Sequence, residues 1–303
     1  MSSLVQLTNS ILEAGISSNG KLVSLVRDGI EYLHGGAKPK DLQTEADKKG
    51  WPDSEIVMFP VVGPVKDFKV KAGGRKIIQD QHGISRNLCF DREMINLTQP
   101  YYPGRISLTQ YHDGISKIQN PKHLKDSKNP EYLDWPFEYL LRKTFELEGD
   151  KLKATFSLIN LSKETMPYMF GWHPAFKVNG NSKDGMFEIV DSDGIKQYRL
   201  EELISDVSQA KGPILIADSD YIAYGNKSTG IGFYLDARNF GNFMLWSPGK
   251  DAGMFCIEPV TQIPVDPKKQ AYFTDGKFES LKPSSRKDYS ITITPFNQTS
   301  KRR

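Results

Sequence analysis

The chain has 303 residues, 38% of them hydrophobic and 25% charged, and its 40 basic and 37 acidic residues leave a formal charge of +3. That length supplies a sizeable core, and the near balance of charge excludes nucleic acid or an acidic surface as the main partner, since the basic tail Ser300–Arg303 is too short to shift it. Two cysteines, Cys89 and Cys256, make no disulfide framework, no run approaches the ~18 apolar residues of a membrane span, and no signal-peptide pattern opens the chain, so a soluble protein of the cytoplasm is expected.

In chain order, Leu4–Leu7 and Lys21–Val26 read as short strands around Ser17-Ser18-Asn19-Gly20, where Asn-Gly signals a hairpin. Gly29–Leu33 is a further short run. Residues 36–53 are polar and read as a long loop, of the kind that lies over a site or moves. Ile56–Phe59 is a buried strand that Pro60 terminates. Phe68 and Val70, then Ile77 and Ile78, flank a turn at Ala72-Gly73-Gly74. Ile106–Tyr111 alternates as a strand. The clearest hairpin follows: Phe137, Tyr139, Leu141, Phe145 and Leu147 share one parity, with Lys143 the one exception, and Leu152, Ala154, Phe156 and Leu158 form the apolar face of the return strand. A period of two held this long marks antiparallel sheet with one face on a core.

Gly185–Val190 is another strand, and Leu200, Leu203, Ile204 and Val207 carry the spacing of one short helix. Two strand-like runs occupy 214–236, Phe243–Trp246 and Met254–Ile257 follow, and Tyr289–Thr294 alternates strictly. There is no repeat, low-complexity tract or linker, so residues 1–303 are read as one all-β domain, a sandwich or barrel with very little helix. Cys89 and Cys256, each within an apolar run, read as small buried thiols.

The chemistry concentrates at two places. In Phe170-Gly171-Trp172-His173-Pro174-Ala175-Phe176 a histidine stands between aromatic residues, and in Met254-Phe255-Cys256-Ile257-Glu258-Pro259 a glutamate interrupts an apolar run. Each precedes a proline that ends or bulges a strand, a setting that points a side chain into a cleft. A carboxylate and a histidine without nucleophile or metal set suit proton transfer. The histidines lack metal spacing, and there is no phosphate loop or nucleophile elbow. Plainer roles stand beside these: a core histidine for His173, an ion pair with Arg86 for Glu258, and a tied turn for His82 and Arg86. In the same way Asp220 reads as a turn residue, and Trp172 and Trp246 as core side chains, although either tryptophan also suits a sugar ring.

Four stretches, in this order, resemble the aldose 1-epimerase (galactose mutarotase-like) superfamily and its bacterial LacX-like branch: Phe59–Gly63 with Gln81–Arg86, Trp135–Glu138, Gly171–Phe176, and Cys256–Pro259. The resemblance implies a large antiparallel β-sandwich with a sugar cleft on one sheet. It also implies ring opening and reclosure that interconverts hexose anomers, Glu258 as general base, His173 as general acid and no cofactor. His82, Arg86, Asp220 and Trp246 are then the substrate-binding residues, and no metal site is expected. The chain departs from the LacX-like pattern at Pro64, where arginine is usual, and Ile84-Ser85 replaces Phe-Ala. The run Gln81–Asn87 also resembles the hexose-6-phosphate 1-epimerase branch, for which Arg86, Lys66 and Arg75 are the candidate phosphate ligands. A sugar-binding sandwich without catalysis is the reading from another class.

Overall fold

The computed structural model describes residues 4–92, 103–191, 193–210, 212–249, 252–264, 273 and 278–298. Its first strands, β1 (Val5–Thr8), β2 (Leu12–Ile16), β3 (Leu22–Arg27) and β4 (Ile30–Glu31), form a small antiparallel sheet in chain order. The Asn19-Gly20 turn therefore joins β3 to β2 and not to the Leu4–Leu7 run. Leu12-Glu13-Ala14-Gly15-Ile16, with alanine and glycine at its centre, carries little strand propensity, which hides β2 in the sequence.

The strands β5 (Glu55–Met58), β6 (Lys69–Ala72), β7 (Arg75–Ile78), β8 (Asp91–Arg92), β9 (Arg105–Asp113), β10 (Ile118–Gln119), β11 (Tyr132–Leu133), β12 (Glu138–Glu148) and β13 (Lys151–Asn160) follow. The second half holds β14 (Met166–Tyr168), β15 (Gly171–Lys177), β16 (Gly185–Asp191), β17 (Gly194–Arg199), the helix α1 (Leu200–Ala210), β18 (Ile214–Ile216), β19 (Tyr221–Asn226), β20 (Ile231–Asp236), β21 (Asn242–Trp246), β22 (Met254–Val260), β23 (Glu279–Leu281) and β24 (Arg286–Asn297). In α1, Leu200, Leu203 and Ile204 are buried as the spacing predicts; the side chain of Val207 lies outside the described residues.

Two antiparallel sheets build the sandwich. One has nine strands in the order β17-β16-β19-β20-β24-β13-β12-β9-β8, the other five in the order β18-β21-β22-β15-β5. The β12–β13 hairpin pairs from Tyr139–Asn160 to Glu148–Lys151 and so sends Leu141, Phe145, Phe156 and Leu158 to one face. That face meets the inner face of the five-stranded sheet: Phe156 packs 5.8 Å from Trp172, and Phe176 stacks on Phe233 at 4.3 Å. The large antiparallel β-sandwich is thus the observed fold.

Three expectations are corrected. Neither proline ends its strand, since Pro174 lies within β15 and Pro259 within β22. The sheet tolerates them because each strand keeps its register on either side. Cys89 is exposed rather than buried, because its segment runs outside the ladder after a short 3-10 turn at Ser85–Asn87; Cys256 is buried as expected.

Phe156 is fully enclosed between the sheets, touching Phe170 and Trp172. Phe156→Ala should lower the unfolding free energy by ~3–5 kcal/mol, read from the denaturant midpoint at unchanged slope.

Candidate active site

The five-stranded sheet sets the site through its pleat. Alternation sends Trp172, Phe176, Phe255 and Ile257 into the sandwich and His173, Cys256 and Glu258 to the other face. β15 pairs with β22 at Gly171–Val260 and again at Ala175–Cys256, so the register brings His173 opposite Glu258. Their Nε2 and Oε1 atoms are 3.2 Å apart, with His173 6% and Glu258 2% exposed. Trp246, at the end of β21, lies edge-on to His173 at 6.0 Å. Trp51 stands 4.6 Å from the same imidazole and 6.4 Å from Trp246. The two indoles wall the imidazole.

His82 arrives from the segment between β7 and the Ser85–Asn87 turn, and its ring centre is 5.6 Å from that of His173. Two bonds to Gly63 hold it: the His82 N–H donates to the Gly63 carbonyl at 3.0 Å, and the Gly63 N–H donates to Nδ1 at 3.2 Å. An accepting Nδ1 places the ring proton on Nε2, 3.1 Å from the Gln81 Nε2; both are then donors, so the Nε2–H is left for another acceptor. The turn is demanding. His82 has φ +66° and Gly83 φ +74°, and a Cβ on Gly83 would fall 2.2 Å from the Phe59 carbonyl oxygen. Only glycine fits there.

Arg86 reaches the same region half-buried. It has no hydrogen bond or ion pair among the described residues, although Asp53 and Asp80 lie near enough to favour its charge. Each of those carboxylates already has a lysine, Lys21 at 2.6 Å and Lys122 at 3.0 Å. The guanidinium is thus a free set of donors beside the pair.

Burial dominates the electrostatics. It lowers His173 to about 3, with the nearby Arg86 charge adding to the effect. It holds Glu258 well above the usual carboxylate range. His82 is kept well below the ordinary histidine value by burial, then by His173, Arg86 and Lys122. A buried carboxyl–imidazole pair that resists charge on either member, beside a hydrogen-bonding cation, can pass a proton to or from a hydroxyl.

The remaining histidines bond to backbone carbonyls: His34 to Trp51, His112 to Trp135 and His123 to Asn129. Among the described residues no group of three metal-ligating side chains occurs. His173, Glu258, His82, Arg86 and Trp246 therefore come together. Asp220 does not: it is an exposed residue just ahead of β19, on the nine-stranded sheet, and its carbonyl accepts the Ala237 N–H. Two site residues were missed. Trp51 and Asp53 both lie in the polar 36–53 segment, and a tryptophan in such a run was the available signal.

Residues 119–207 match the family model described as aldose 1-epimerase. The chromosomal LacX protein of Lactococcus lactis subsp. lactis is 24% identical over 95% of this chain and 99% of its own length, and the plasmid LacX protein matches equally. A galactose mutarotase-like protein from Lactobacillus casei superposes with a TM-score of 0.74 at 21% identity, covering 97% of this chain and 100% of that one. A second, from Clostridium acetobutylicum, gives 0.69 at 20% identity over 98% and 96%. The chain is thus similar to the aldose 1-epimerase family over that span and has the fold of the galactose mutarotase-like structures. The matched span 119–207 includes His173 and stops before Glu258, and the β15–β22 register brings the carboxylate to the histidine.

Gly83→Ala should cost at least ~2 kcal/mol of stability in urea unfolding, from left-handed strain plus the clash with Phe59. A variant as stable as wild type would show that the turn tolerates a side chain.

Proposed function

We propose that this chain is an aldose 1-epimerase that interconverts the α and β anomers of a hexose, with Glu258 as general base and His173 as general acid. The observation that carries the reading is the 3.2 Å approach of these two side chains on a buried, tryptophan-walled sheet face. Glu258 takes the anomeric hydroxyl proton while His173 protonates the ring oxygen. The C1–O5 bond breaks to the free aldehyde, C1–C2 rotates, and closure on the other face returns both protons with the roles reversed. The pair shares one exchangeable proton, and carboxylic acid with imidazole is the tautomer of carboxylate with imidazolium. His82 Nε2–H and the Arg86 guanidinium donate to sugar oxygens, and Trp246 and Trp51 offer faces to the ring. The reaction moves protons and one C–O bond, so it needs no cofactor. The substrate is a free sugar of the cytoplasm. Of the cations considered for a phosphosugar, Arg75 is engaged by Glu164 at 2.5 Å and lies over Phe137, whereas Arg86 keeps its donors, so free and phosphorylated hexoses are both assayed.

Polarimetry of freshly dissolved α-glucose and α-galactose, with glucose 6-phosphate followed by NMR, tests the reading. Wild type should accelerate mutarotation of a free hexose, and Glu258→Gln should lose ~10²–10⁴-fold. A variant at near wild-type rate would remove Glu258 from the mechanism. Glu258 is raised on folding, so its contribution to stability is full below about 4.5 and is lost as pH rises through the folded value. Glu258→Gln should therefore melt at or above wild type at ~pH 8, which separates loss of the base from loss of the fold.

The same shifts set the pH profile. As pH falls towards about 3, His173 takes a second proton and the pair loses its base. As pH rises past the elevated Glu258 value, the pair loses its one proton and its acid. The kcat/KM profile should be bell-shaped, with its acid limb far below the ordinary histidine range. An acid limb near ~6.5 would mean that a solvated histidine governs the rate.

A further inference from the structure

β15 is paired from one side only where it carries His173: β5 pairs with Gly171 to Pro174, His173 lying opposite Ile56. Its pairing with β22 lapses between Gly171 and Ala175, and Pro174 has no N–H to donate. On the other side its only neighbour is β5, a four-residue strand at the sheet's edge. Proton transfer is sensitive to small misplacement, and a ladder on one side alone leaves this histidine dependent on further support.

Side chains beneath the strand supply that hold. Glu55, on β5 opposite Pro174, points into the sandwich and is 1% exposed. One of its oxygens accepts the Leu22 N–H at 3.0 Å and Lys143 Nζ at 2.6 Å, and the other accepts the Trp172 indole N–H. Lys143 comes from β12 in the opposite sheet, is 1% exposed, and rests 4.3 Å over the Phe90 ring. One carboxylate thus ties together the small N-terminal sheet, the nine-stranded sheet, the edge strand and the residue next to His173. A buried ion pair seldom stabilises more than apolar packing of the same shape, so a lysine in an otherwise apolar row points to geometry and not to stability.

We propose that Trp172, Glu55 and Lys143 are positioning residues that add to this one-sided ladder and hold the His173 imidazole for proton transfer. The proposal rests on the mutarotase reading for its kinetic consequence and stands apart from it for its structural one. Removing Lys143 leaves Glu55 buried and unpaired and risks the fold, so the indole N–H is the better target. Trp172→Phe deletes the donor and keeps an aromatic ring. Trp135→Phe is its control, since Trp135 is equally buried and its Nε1 has no hydrogen-bond partner.

With wild type active, Trp172→Phe should lower kcat at least ~10-fold while KM changes less than ~3-fold, and Trp135→Phe should lose similar thermal stability with kcat within ~3-fold of wild type. Equal effects on kcat in the two variants would overturn the proposal. A second readout needs no turnover. In protein labelled with 15N-histidine, the His173 ring signals should shift or broaden in Trp172→Phe and stay in place in Trp135→Phe. Unchanged His173 signals in Trp172→Phe would overturn the proposal even if wild type accelerated mutarotation. Shifted signals in a protein inactive on every aldose would uphold the positioning role and refute the catalytic one.

Discussion

A sheet face that excludes water cannot carry a lone charge, and this constraint shapes the site more than any other. His173 and Glu258 are both nearly inaccessible, and each alone would be costly to ionise. Placed opposite each other on adjacent strands they need only one proton between them. The register of β15 against β22, the two tryptophans over the imidazole and the loop that delivers Trp51 all serve to keep this pair dry and together. The same constraint recurs inside the sandwich, where Lys143 and Glu55 are tolerated only as a pair.

The architecture was legible because strand alternation is a local signal. The parity of Tyr139 to Leu147 and of Leu152 to Leu158 fixed the long hairpin and its buried face, and Lys143 stood out there as the one residue that broke the pattern. What Lys143 meets was not legible, since its partner lies 88 positions away on another sheet. His173 and Glu258 were visible as polar residues in apolar runs, but their apposition depends on a strand register that no single stretch encodes. Asp220 is a different case: the resemblance alone carried a role to it, and it stands exposed just ahead of β19. Proline misled in a third way. It removes one donor from a ladder without ending the strand, so β15 and β22 both run on past it.

Membership of a family and possession of its chemistry rest on different observations. The sandwich follows from patterning and is shared with solved structures at 20–21% identity. The chemistry depends on a few side chains whose orientation is set by special backbone. His82 is an example: its left-handed conformation and the glycine after it aim the ring, and Gly63 dictates which nitrogen bears the proton. A fold can persist while such details drift, which is why activity is tested at single atoms.

Arg86 gives the site a built-in selectivity by rejection. Its guanidinium sits half-buried with its N–H groups uncommitted, so part of its hydration is already lost before any ligand arrives. On the proposed function, a polyhydroxylated ring restores those contacts when it binds. A ligand of the same shape lacking hydroxyls would strip away the remaining water and return nothing, and such omissions are penalised far more heavily than a missing methylene in an apolar pocket. Discrimination then lies less in how well a sugar fits than in how poorly anything else can replace the water it displaces.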